Sequence, residues 1–130
     1  MTLLEDMVSY LVGRGLVIGD GEDTFRDFQP ESPDNIVVLQ EYKGDPISPY
    51  TDVVHRSVQV TVRNKSASES QAIAKRLFDA FKSSDDAQRI DLTSTRWGQV
   101  HLRQSPFKIK QDDRNRTIYG FNLGITTTSE

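Results

Sequence analysis

VHRSVQVTVRNKSASESQAIAKRLFDAF, residues 54–81, changes its apolar period halfway along. Val58, Val60 and Val62 alternate with Gln59, Thr61 and Arg63, so an extended chain sends the two sets to opposite sides. From Ser66 the period lengthens. Ser66 and Glu69 stand at capping-box spacing, and Ile73, Leu77 and Phe81 then recur every fourth residue with Ala74 and Phe78 beside them. The stretch reads as a strand feeding a helix whose apolar stripe must cover a sheet.

Working outward, Thr2 and Glu5 form a second capping-box pattern ahead of Leu4, Met7, Val8, Leu11 and Val12, which predicts a first helix ended by Gly13 or Gly15. LVIG then leads into GDGEDTFRDFQPESPDN, a polar loop with room for a small strand at its edge. IVVLQEY is a strand, and KGDPISPYTD, residues 43–52, is an irregular loop because its glycine and two prolines do not suit a sheet. After the central helix come a polar connection, SSDDAQRIDLTSTRW, an alternating QVHLRQ that FKIKQ extends, and a turn at DDRNR. TIYGFNLGITTT closes the pattern as a long strand with Tyr119, Phe121, Leu123 and Ile125 on one face. Helix, strand, strand, helix and two or three further strands predict an α+β fold. A mainly antiparallel sheet carries the N-terminal helix and the longer central helix on one face, in a single domain over residues 1–130.

Composition narrows the chemistry. The chain has 130 residues, a formal net charge of −3 and no cysteine, so thiol catalysis, disulfides and thiolate metal sites are excluded. His55 and His101 are its two histidines, and neither belongs to a zinc-binding spacing. The first residues lack the basic and apolar regions of a signal peptide, and no apolar run approaches a membrane span, so a soluble intracellular product is expected.

PDNIVVLQEYKG, residues 33–44, carries a Pro-Asp and a later Glu-x-Lys in the manner of metal-dependent nucleases. The geometry opposes that reading: Asp34 and Glu41 lie about 23 Å apart on an extended chain and, at an odd separation, on opposite faces. A turn, a core strand and the entry to a loop explain the segment more simply. Asp20, Glu22 and Asp23 lack the alternation of a calcium loop, Asp85-Asp86 and Asp112-Asp113 are turn acids, and Ser57 near His55 has no third group to orient it. His101 alternates with Gln99 and Arg103 opposite Val100 and Leu102, as a partly exposed sheet residue. Trp97, beside Arg96, reads as a core or interface anchor or as a platform for a base. No catalytic, cofactor or metal residue is assigned. Arg103, Lys108, Lys110, Arg114 and Arg116 gather around the predicted hairpin, either as a solvated edge that resists aggregation or as a surface for an acidic partner or phosphates.

SPDNIVVLQEYKGDPISPY followed by VVHRSVQVTVRNKSASESQAIAKRLFDAF resembles the tail terminator, or minor capsid, proteins of long-tailed bacteriophages over residues 3–82. The resemblance rests on Pro33, Asp34, Glu41, Gly44, Val58, Gln59, Val60, Val62, Arg63, Ala74, Leu77, Phe78 and Phe81 in that order and spacing. It implies a structural virion protein without cofactor, assembled in the host bacterial cytoplasm. Such a protein forms a ring, expected to be hexameric, at the head-proximal end of the tail tube, halts polymerisation and offers a docking surface to the head connector. Its partners would be copies of itself, the major tail tube protein and a head-completion or stopper protein, with DNA passing through the lumen without sequence-specific binding and no membrane involved. The loop at 43–52 and the hairpin near 108–116 are the expected contact elements. They nominate Glu41, Lys43, Asp45, Tyr50, Lys108, Lys110, Arg114 and Arg116. Another phage neck or head-completion protein, a monomeric binding module and, last, a nuclease are the competing readings. The polar loops 19–35 and 43–52 are expected to be mobile before assembly.

Overall fold

The computed structural model describes residues 2–44, 53–82 and 89–128. Two helices, α1 (Leu3–Gly13) and α2 (Ala67–Ala80), accompany strands β1 (Thr24–Arg26), β2 (Ile36–Gly44), β3 (Val53–Asn64), β4 (Arg89–Asp91), β5 (Trp97–Leu102), β6 (Phe107–Gln111) and β7 (Thr117–Thr128). The alternation that marked residues 58–63 is realised in β3: Val58, Val60 and Val62 are buried and stand opposite Leu123, Phe121 and Tyr119 of β7. On the other side of β3, Val37 and Leu39 of β2 oppose Val62 and Val60, which widens the apolar floor.

The strands form one sheet in the order β1-β2-β3-β7-β5-β4, with β6 also on β7. Every pairing is antiparallel except the short parallel β1–β2 contact. β7 is central. β3 follows its whole length on one side, while on the other β5 covers Leu123–Thr127 and β6 covers Thr117–Gly120. β5 and β6 thus share one side of β7, separated by Arg103-Gln104-Ser105-Pro106, and a register shift between Lys108 and Lys110 puts an irregularity in β6.

Both helices cover the same face and share one apolar core with the sheet. Thr2 caps α1 with the reciprocal Glu5 contact in place, and Ser66 caps α2 by accepting from the Glu69 N–H at 3.3 Å. The Ser70 hydroxyl is buried between the carbonyls of Val62 at 2.8 Å and Thr117 at 3.1 Å, which seats α2 over the β3–β7 pair. Phe78 meets Phe121 edge-on at 5.4 Å, Tyr10 packs on Phe81 at 5.6 Å, and the Tyr10 hydroxyl donates to the Ala80 carbonyl.

Two adjacent acids of α1 reach the two ends of the strand order. Glu5 lies 3.6 Å from Arg26 in β1, and Asp6 lies 3.1 Å from Arg96 in the turn joining β4 to β5. The sheet is therefore drawn around α1. Asp6 and Arg96 are both buried, and Arg96 Nη1 has no hydrogen-bond partner among the described residues.

Residues 19–35, read from the sequence as a polar loop, make a set of internal contacts. The Asp23 carboxylate accepts from the N–H groups of Ile18 and Gly19 at 2.9–3.1 Å, and Arg26 makes a forked contact with Asp20. β1 forms inside this segment and lends its length to β2. The short β4 likewise forms within the connection that the sequence marks as polar.

Candidate functional site

The two acids of the nuclease-like motif do not converge. The Asp34 carboxylate sits 3.2 Å from Lys65 Nζ and 3.3 Å from Arg116 Nη1. The hydrogen bond from Lys65 holds it below the usual carboxylate range despite opposing burial. Glu41 stands opposite Val58 in the core-facing row of β2, 3.8 Å from Arg56, and its N–H donates to the Asp27 carboxylate at 3.1 Å. Lys43 pairs in register with Ser57 beyond a bulge, while Asp45 and Tyr50 lie outside the described residues. Among the described residues no group of three histidines or carboxylates could hold a metal ion.

The hairpin between β6 and β7 separates its basic residues into two kinds. Its turn is built by Asp112, whose carboxylate accepts from the N–H groups of Arg114 at 3.0 Å and Arg116 at 2.9 Å, with Asn115 in the left-handed region at φ 59°. Arg116 points inward. Its side chain is 3 % exposed, its Nε donates to Asp112 at 2.7 Å, and its Nη1 donates to the Glu31 carbonyl at 2.6 Å. Arg63, also buried, donates to the carbonyls of Pro33 at 2.7 Å and Asp34 at 3.2 Å. Burial, followed by the neighbouring Arg116, pushes the Arg63 guanidinium below its ordinary value. The two arginines supply the donors that the polar 31–34 segment needs, so a stretch with little apolar surface acquires one conformation. Arg114 reaches Glu31 at 3.3 Å, with both side chains exposed.

Lys108 and Lys110 have no ion-pair partner among the described residues. They lie on β6, where all five residues are exposed, including Phe107 and Ile109 at 38 % and 37 %. β6 pairs only with β7 among the described strands, so its outer edge is open. The face of the sheet away from the helices carries Gln40, Gln59, Gln99, Asn122, His55 and His101, with the His55 Nδ1 2.6 Å from the Thr126 hydroxyl. Arg103 lies over Gly124 and donates to the Tyr42 hydroxyl at 2.8 Å, linking the β5 end to β2 across that face.

At the opposite edge, outside β1, the 18–22 turn and α1 enclose a groove of about 380 Å³ lined by Val8, Val12, Glu5 and Asp20. Ile18 is 69 % exposed beside it, and Val12 is 41 % exposed.

The sequence singled out Lys108 and Lys110 as members of a basic group, but the inward turn of Arg116 and the burial of Arg63 were not visible there. For Asp6 a signal existed: it stands with Leu3 and Tyr10 at helical spacing, a charge inside an apolar stripe.

A family model described as bacteriophage tail terminator protein matches residues 10–129. No curated relative matches the chain.

Proposed function

Since the chain belongs to the bacteriophage tail terminator family, a family of structural tail proteins, we propose that it closes into a ring, hexameric, at the head-proximal end of the tail tube. There it stops tube polymerisation and presents the docking surface for the head connector, and DNA crosses its lumen without sequence-specific contact. Its role is structural rather than catalytic. Its partners are its own copies, the major tail tube protein and the head-completion protein, and it is assembled into the virion in the host cytoplasm.

The observation that carries this reading is the family match across residues 10–129. The geometry supports it: a closed ring needs a heterologous interface, in which one surface meets a different one on the next copy, and the open edge at β6 offers such a surface. Lys108, Lys110 and Arg114 face outward there, and Glu41, Lys43, Asp45 and Tyr50 belong to the second expected contact element.

Negative-stain electron microscopy and native mass spectrometry of the purified protein, alone and with tail tubes, test the reading. Rings and tubes capped at one end are expected. A chain that stays monomeric with tubes present overturns it.

A further inference from the structure

Resting on that ring reading, we propose that the subunits close head to tail by seating β6 of one copy in the groove between α1 and the 18–22 turn of the next. The topology places these surfaces correctly for such a contact. Across the sheet at the level of residues 117–120 the order is β1-β2-β3-β7-β6, so the groove beside β1 and the strand β6 stand at opposite edges of one subunit. They are different surfaces of one subunit, as a closing ring requires.

Their chemistries match. β6 offers Phe107 and Ile109, both exposed, interleaved with Lys108 and Lys110, which have no ion-pair partner among the described residues. The groove offers an apolar floor at Val8 and Val12 with the exposed Ile18 beside it. Its lining carries Glu5 and Asp20, with the exposed Glu22 in the adjoining 18–22 turn; among the described residues Arg26 pairs with Asp20 at 2.9 Å and Glu5 at 3.6 Å, while Glu22 has no ion pair. A surplus of negative charge therefore meets a pair of uncompensated lysines around apolar contacts. The same lysines oppose the alternative of two β6 strands pairing with each other, because like charges would then face across the seam.

A charge swap in the full chain tests the contact. One variant carries Lys108→Glu with Lys110→Glu; the other carries Ile18→Lys with Glu22→Lys. All four side chains are exposed, so unchanged thermal melting is expected to show that both variants fold. With tail tubes present, each variant alone should lose the ring that the unaltered chain forms. An equimolar mixture should regain it, with the two variants alternating, since each reversed surface then meets its complement on both sides. Native mass spectrometry reads the alternation directly. Rings formed by either variant alone, or a mixture that stays unassembled, overturn this interface while leaving the ring reading standing. If the unaltered chain forms no ring even on tubes, the ring reading fails and takes the interface with it.

Discussion

Replacing Asp6 with leucine should be among the most damaging single changes in the core. The side chains of Asp6 and Arg96 are 8 % and 7 % exposed, and their contact at 3.1 Å joins α1 to the turn between β4 and β5. Asp6→Leu leaves a buried guanidinium without a counter-charge, which costs about 3–5 kcal/mol. Against a total stability on the order of 5–15 kcal/mol, that is a large fraction. It corresponds to a fall in melting temperature on the order of 10–20 °C for a domain of this size. Arg96→Met alone strands the carboxylate and should cost a similar amount. Yet Arg96 Nη1 has no hydrogen-bond partner among the described residues, so even the intact pair is incompletely satisfied. The double variant, Asp6→Leu with Arg96→Met, should therefore lie within about 1 kcal/mol of the unaltered protein, because apolar replacements of both partners remove the desolvation penalty together. Urea unfolding at constant slope measures all four corners of this cycle. Two single changes that sum in the double variant, or an Asp6→Leu cost below about 1 kcal/mol, would refute the reasoning.

Three further outcomes are expected. Gly120→Ala places a methyl 2.7 Å from the Val60 carbonyl oxygen and 2.9 Å from Ile109 Cδ1, so the strand pair must shift, at about 1–3 kcal/mol in urea midpoint experiments. Ser70→Ala removes the hydroxyl held between the Val62 and Thr117 carbonyls and should cost about 1–2 kcal/mol, with faster amide exchange at the start of α2. Burial pushes the Asp112 carboxyl up, but hydrogen bonds from the Arg116 N–H and guanidinium and the Arg114 N–H outweigh it and leave the carboxyl below its ordinary value. With a folded value below the unfolded one, this stabilisation is complete above the ordinary carboxylate range and is lost as the pH falls through the folded value. Asp112→Asn should therefore flatten the acid side of the stability curve, measured as urea midpoints between neutral pH and about pH 2.

The elements legible in the sequence are those whose signals are local. The capping residues of α1 and α2, the alternation of β3 and the apolar row of β7 each depend on neighbours within a few positions, and all appear where expected. What stayed hidden depends on residues far apart in the chain. The polar loop left room for a small strand, but its place at Thr24–Arg26 and its parallel pairing depend on the ladder that β2 offers. The 31–34 segment is ordered by Arg63 and Arg116, and nothing in either arginine's own neighbourhood announces an inward side chain. For the candidate interface, the basic cluster at residues 103–116 was readable as composition. Its division follows from contacts: Arg116 is drawn in by Asp112 and the distant Glu31 carbonyl, while Lys108 and Lys110 stand on the exposed strand β6.

The position of β7 also sets an order in which the sheet can be built. It is the central strand and follows β1 to β6 in the chain, so those six strands without it lack the one on which β3, β5 and β6 pair. β6 has β7 as its sole described support, and the edge proposed to meet a neighbouring copy takes shape only when β7 is in place. The two halves of the proposed contact thus depend on different parts of the chain: the groove on α1 and the 18–22 turn near its start, the β6 edge on β7.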